Sequence, residues 1–129
     1  MHVLVLDDEP QVQKILSAFL LRYARQHGKR MKISEFSKPE QALMELTTHG
    51  EDYDMILMDV RMPKVTGHDI YHALQETQPT LLSRLLFITG YPDELTDMQA
   101  CILPKPFRYS DLKQNLQHIE QTCKAAIAA

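Results

Sequence analysis

Asp54-Met55-Ile56-Leu57-Met58-Asp59 is a short apolar run that ends on a carboxylate. Runs of this kind fit β-strands covered on both faces. Working outward from it, His2–Leu6, Met31–Phe36, Asp54–Met58, Leu85–Thr89 and Cys101–Leu103 read as five strands. Amphipathic stretches lie between them. Val12, Ile15, Leu16, Phe19, Leu20 and Tyr23 repeat at the spacing of one helix face, and Gly28 can end that helix. Pro39–His49 reads as a second helix, with Ser37 and Glu40 at capping-box spacing. A third is expected from about Gly67 to Thr77, ahead of Pro79. The last starts near Ser110, read as its N-cap, and should bury Leu112, Leu116, Ile119 and Cys123. Strands alternating with helices imply an α/β fold, a doubly wound five-stranded parallel sheet. Only Gly90–Ala100 separate the fourth and fifth strands, so any helix there is shortened.

The chain has 129 residues, enough for one domain. Apolar residues make up 44% and charged residues 24%, and the formal net charge is −3. That balance gives no general drive toward nucleic acid or an anionic membrane. Two cysteines make no disulfide framework, and no run has signal-peptide or membrane-spanning length. A cytoplasmic location is the expectation.

Ligands of such sheets bind outside the carboxyl ends of the strands. Here those ends carry Asp7-Asp8-Glu9, Asp59, Thr89-Gly90 and Leu103-Pro104-Lys105-Pro106. Clustered carboxylates persist only if a cation neutralises them or some are protonated. Hard oxygen donors suit Mg2+, which keeps waters and combines few carboxylates with phosphate oxygens. A carboxylate can attack phosphorus to form an aspartyl phosphate. Lys105 and Thr89 could contact phosphate oxygens, and Gly90 leaves room for them.

Four motifs, in order and each at a strand end, resemble the receiver domain of two-component response regulators. They are Val5-Leu6-Asp7-Asp8-Glu9, Met58-Asp59-Val60-Arg61-Met62-Pro63 with Gly67 following, Phe87-Ile88-Thr89-Gly90, and Pro104-Lys105-Pro106-Phe107. The resemblance covers residues 1–125 and leaves 126–129 as a short tail. It implies a flavodoxin-like sheet with strand order 2-1-3-4-5. It implies Asp59 as phosphoryl acceptor, with Asp7, Asp8, Asp59 and the backbone carbonyl of Arg61 holding Mg2+. Thr89 would be the switch hydroxyl, and Lys105 the phosphate contact, with a cis bond to Pro106. The donor would be a phosphohistidine on a histidine kinase or histidine phosphotransfer protein. The chain itself would be no enzyme beyond its own phosphorylation and slow dephosphorylation.

Two departures bear on output. The family's switch aromatic stands three residues before the lysine, where this chain has Ile102, and the helix before that strand is short. The common dimer surface is therefore not expected, and a monomer or weak dimer is. Arg61 and Tyr91 flank the acceptor, and their bulk predicts a phospho-form outlasting that of fast chemotaxis regulators. The residues after the last motif are not expected to form a DNA-binding or catalytic output segment. The chain then signals by binding a downstream protein, or is a piece of a longer regulator or hybrid kinase.

A degenerate receiver would bind partners without phosphorylation. An aspartyl-nucleophile phosphatase of the haloacid-dehalogenase type needs a second Asp two residues after the first, and here that residue is Arg61. His68 and His72 lie at i, i+4 but lack a third metal ligand. Arg22, Arg25, Lys29, Arg30 and Lys32 read as a solvated face, with no direct nucleic-acid binding expected. Cys101, Met55 and Met58 read as packing residues, and Gly67 as a turn requirement.

Overall fold

The computed structural model describes the backbone of residues 1–128 and the side chains of residues 1–122. Five strands form one parallel sheet in the order β2-β1-β3-β4-β5. They are β1 (His2–Leu6), β2 (Lys32–Phe36), β3 (Met55–Met58), β4 (Leu85–Thr89) and β5 (Cys101–Pro104). Met31 and Asp54 fall just outside the strands expected to hold them. The helices are α1 (Pro10–Gln26), α2 (Pro39–His49), α3 (Gly67–Thr77) and α4 (Tyr109–Ala128). Between β4 and β5 the expected short helix is a 3-10 turn, Pro92–Leu95.

Alternation along the strands divides the core in two. Leu4, Leu6, Ile56, Met58, Leu85 and Phe87 pack with α2 and α3 through Ala42, Leu46, Ile70 and Leu74. Val3, Val5, Met55, Leu57, Leu86 and Ile88 pack on the other face with Leu16 and Leu20 of α1 and Leu112, Leu116 and Ile119 of α4. Each fully buried Leu or Ile contributes on the order of 2 kcal/mol. Met55 and Met58 are core residues, as expected. The expectations for Cys123 and the 126–129 tail rest on side chains outside the described residues.

Helix α1 ends as Gly28 predicts. Gly28 has φ +61°, and the Lys29 N–H donates to the Ala24 carbonyl at 2.9 Å. Two expected caps are corrected. Helix α2 starts after Lys38, with Pro39 in its first turn and no side-chain cap, so Ser37 lies one residue too early. Helix α4 starts at Tyr109, not on a Ser110 cap, and the Asp111 carboxylate accepts from the Arg108 N–H at 2.9 Å. A capping box that the sequence reading missed opens α3. Thr66 Oγ1 accepts from the Asp69 N–H, and Asp69 accepts from the Thr66 N–H.

The order of strands reverses direction between β1 and β3, which opens a crevice at their carboxyl ends. No described helix is long and apolar enough to cross a membrane.

Candidate functional site

The crevice collects residues from four strand ends because the ladder continues past the strands. The Asp7 N–H donates to the Phe36 carbonyl and the Asp59 N–H to the Leu6 carbonyl, both at 3.1 Å. The Lys105 N–H donates to the Thr89 carbonyl at 2.7 Å. Asp7, Asp59 and Thr89 are the buried polar residues of the described chain.

Asp59 has two unlike oxygens. Oδ1 accepts from the Val60 N–H at 2.7 Å and more loosely from the Arg61 N–H at 3.3 Å. Oδ2 faces the Lys105 ammonium at 3.4 Å. Asp7 Oδ1 accepts from the Glu9 N–H at 2.8 Å. Asp7 Oδ2 is buried without a hydrogen-bond partner, and Lys105 Nζ lies 3.6 Å away. Burial pushes the Asp7 carboxyl above its ordinary range, opposed by the Glu9 N–H and Lys105 and reinforced by Asp59. Burial alone would lower Lys105, but Asp59 and Asp7 outweigh it and hold the ammonium above its usual value.

Ligand oxygens of Asp7, Asp8, Glu9 and Asp59 come within 4.8 Å of one another. This donor set is all carboxylate, and it includes a buried oxygen with no hydrogen-bond partner among the described residues. Both features fit a hard divalent cation. Glu9, the last residue of the Asp7-Asp8-Glu9 stretch, belongs to this group although the resemblance gives it no ligand role. The Lys105–Pro106 bond is cis.

Other supporting residues were missed. The Gln13 amide donates to the carbonyls of Asp7 at 2.8 Å and Phe36 at 2.7 Å, tying the ends of β1 and β2 together. Gly67 is needed for space rather than for a turn. A Cβ there would stand 2.9 Å from Val60 Cα and 3.0 Å from Phe87 Cε1, so α3 presses on the end of β3. At Gly90 a Cβ would meet nothing within 4 Å, so the site is open on that side.

Arg61 and Tyr91 stack on one another, with the guanidinium carbon 3.5 Å from the ring centre. Arg61 also makes a two-pronged pair with Glu94 of the Pro92–Leu95 turn. His68 Nε2 lies 3.0 Å from the Glu94 carbonyl oxygen, so it is engaged in a main-chain contact. The basic face is only partly solvated. Lys29 pairs with Glu120, and Arg22 lies over the Tyr109 ring at 4.0 Å. Cys101 is half-buried against the α1/α4 side of the core.

A family model of the response regulator receiver domain matches residues 3–117. The probable transcriptional regulator ycf27 of Cyanidium caldarium is 28% identical over 123 residues, which are 92% of this chain and 45% of that protein. The chain thus spans less than half the length of that relative. The response regulator receiver protein CpdR of Brucella abortus is 25% identical over 122 residues, which are 90% of this chain and 93% of that protein. Among solved structures, the receiver domain of a sensor histidine kinase of Pseudomonas aeruginosa superposes with a TM-score of 0.75 at 21% identity. It covers 92% of this chain and 97% of that one, and it holds a magnesium ion in its active-site cleft.

Proposed function

The chain belongs to the response regulator receiver domain family of two-component signalling, and from that premise we propose that it accepts a phosphoryl group on Asp59. The observation that carries this reading is the asymmetry of Asp59. Oδ1 is held by main-chain donors while Oδ2 is directed to an ammonium.

Phosphoryl transfer depends on positioning and charge neutralisation. Asp59 Oδ2 is the oxygen left to attack. The P–N bond of a phosphohistidine breaks as the bond to Oδ2 forms, and the imidazole leaves with the electron pair. Lys105 offsets charge on the incoming phosphoryl oxygens, and Thr89 supplies a hydroxyl that can donate to one of them. Asp7, Asp8 and Asp59 would hold Mg2+, with Glu9 beside them and the Arg61 carbonyl as a further oxygen donor. The ion would neutralise phosphate and carboxylate oxygens together. Gly90 leaves the approach open. The Arg61–Tyr91 stack covers one flank and slows an attacking water, which favours a long-lived phospho-form.

The donor is a histidine kinase or histidine phosphotransfer protein, and the output is altered binding of a downstream protein rather than turnover of a substrate. Transfer of labelled phosphate from a phosphorylated histidine phosphotransfer protein tests this. Wild type should take up label within minutes, and chelator or Asp59→Asn should abolish uptake. Label released as inorganic phosphate with no lasting phospho-form would favour a phosphatase instead.

A further inference from the structure

Ile102 is half-buried against the same side of the core as Leu95 and Met98. No aromatic ring stands there to follow Thr89. The described contacts offer another route from the site to the surface. The Tyr91 N–H donates to Thr89 Oγ1 at 2.9 Å. The Tyr91 carbonyl accepts from the Glu94 N–H at 3.1 Å, closing the Pro92–Leu95 turn. Glu94 grips the Arg61 guanidinium with both carboxylate oxygens. The Arg61 N–H leans on Asp59 Oδ1 at 3.3 Å. Asp59, Arg61, Glu94, Tyr91 and Thr89 therefore form one chain of contacts, braced by the Arg61–Tyr91 stack.

We propose that Glu94 is an internal competitor for Arg61, and that phosphorylation of Asp59 releases the Pro92–Leu95 turn as the moving output element. The proposal rests on Asp59 being the acceptor. A phosphoryl group two residues from Arg61 carries more charge than a carboxylate and offers three acceptor oxygens. It therefore outbids Glu94 for the guanidinium. The same event draws the Thr89 hydroxyl toward the phosphate and takes away the acceptor of the Tyr91 N–H. Both losses fall on one short turn. What still holds that turn is its own Glu94 N–H to Tyr91 carbonyl bond, Leu95 in the core and the His68 contact to the Glu94 carbonyl. Arg61 and Glu94 are surface groups, so the contact is weak enough to be exchanged.

Amide hydrogen exchange over residues 90–100 tests the proposal, with beryllofluoride and Mg2+ as the phosphoryl mimic and E94Q beside wild type. The wild-type turn should exchange roughly threefold to tenfold faster with the mimic, the scale of losing one exposed ion pair and one hydrogen bond. E94Q should exchange at part of the raised rate without the mimic and respond less to it than wild type, while still gaining one phosphoryl group from acetyl phosphate. If the wild-type turn keeps its rate although Asp59 is modified, or if E94Q behaves as wild type, the proposal fails. If Asp59 is not modified at all, the acceptor reading fails first, and intact mass distinguishes the two cases.

Discussion

The Asp7 carboxylate is almost wholly buried, and its Oδ2 has no hydrogen-bond partner. Holding a charge there without a cation is costly, which is why burial raises its pKa. Two effects follow for Asp7→Asn. The metal-free protein should melt higher than wild type, because the strained charge is gone. Magnesium at about 100 times its Kd should stabilise wild type by about 2.7 kcal/mol and leave the variant nearly unmoved. Thermal melts with and without magnesium check both, and a variant that keeps the full gain would remove Asp7 from the metal site. The family residues Asp7, Asp8, Asp59, Thr89 and Lys105 were legible because each closes or follows an apolar run whose strand character was plain. Gln13 and Glu94 were not. Gln13 acts through carbonyls brought together by β1 and β2, and Glu94 through Arg61, which is 33 positions earlier.

Elements were legible wherever the apolar period was strong, and misread where one terminal residue had to be chosen. Pro39 fixes the start of α2 more firmly than Ser37 could cap it, and Asp111 takes the capping role at α4 without a Ser at the cap. The stretch between β4 and β5 could be bounded by length alone, and Pro92 with so few residues leaves a single 3-10 turn. Contacts between elements were not visible at all. Tyr23 of α1 donates to Glu120 of α4, and Lys29 pairs with the same carboxylate. Burial first, then Glu120, hold the Tyr23 phenol well above its ordinary value. A folded pKa raised above the unfolded one contributes stability that is complete below the unfolded pKa, near 10, and is lost as pH rises toward the folded value. Wild type should therefore lose stability above about pH 10, by up to about 1.4 kcal/mol per pH unit more than Tyr23→Phe. Denaturant midpoints of both proteins across that range check it, and equal slopes would show that Tyr23 does not couple α1 to α4.

At the scale of the whole molecule, the sheet brings an acidic pair, a third carboxylate, a hydroxyl and an ammonium to one edge, and the two core layers hold them there. That arrangement is the common frame of the family to which the chain belongs. What differs is the way out of the site. Ile102 and the Pro92–Leu95 turn replace the features that the family's pattern leads one to expect, and on our proposal the Arg61–Glu94 pair bridges the gap. All of this rests on Asp59 accepting phosphate. Intact mass after incubation with magnesium and acetyl phosphate, repeated with phosphohistidine donors, tests that most directly. The account predicts one added phosphoryl group on wild type, mapped to Asp59, none on Asp59→Asn, and none in chelator. A folded wild type left unmodified by every donor, or an Asp59→Asn variant modified as fully as wild type, would contradict it.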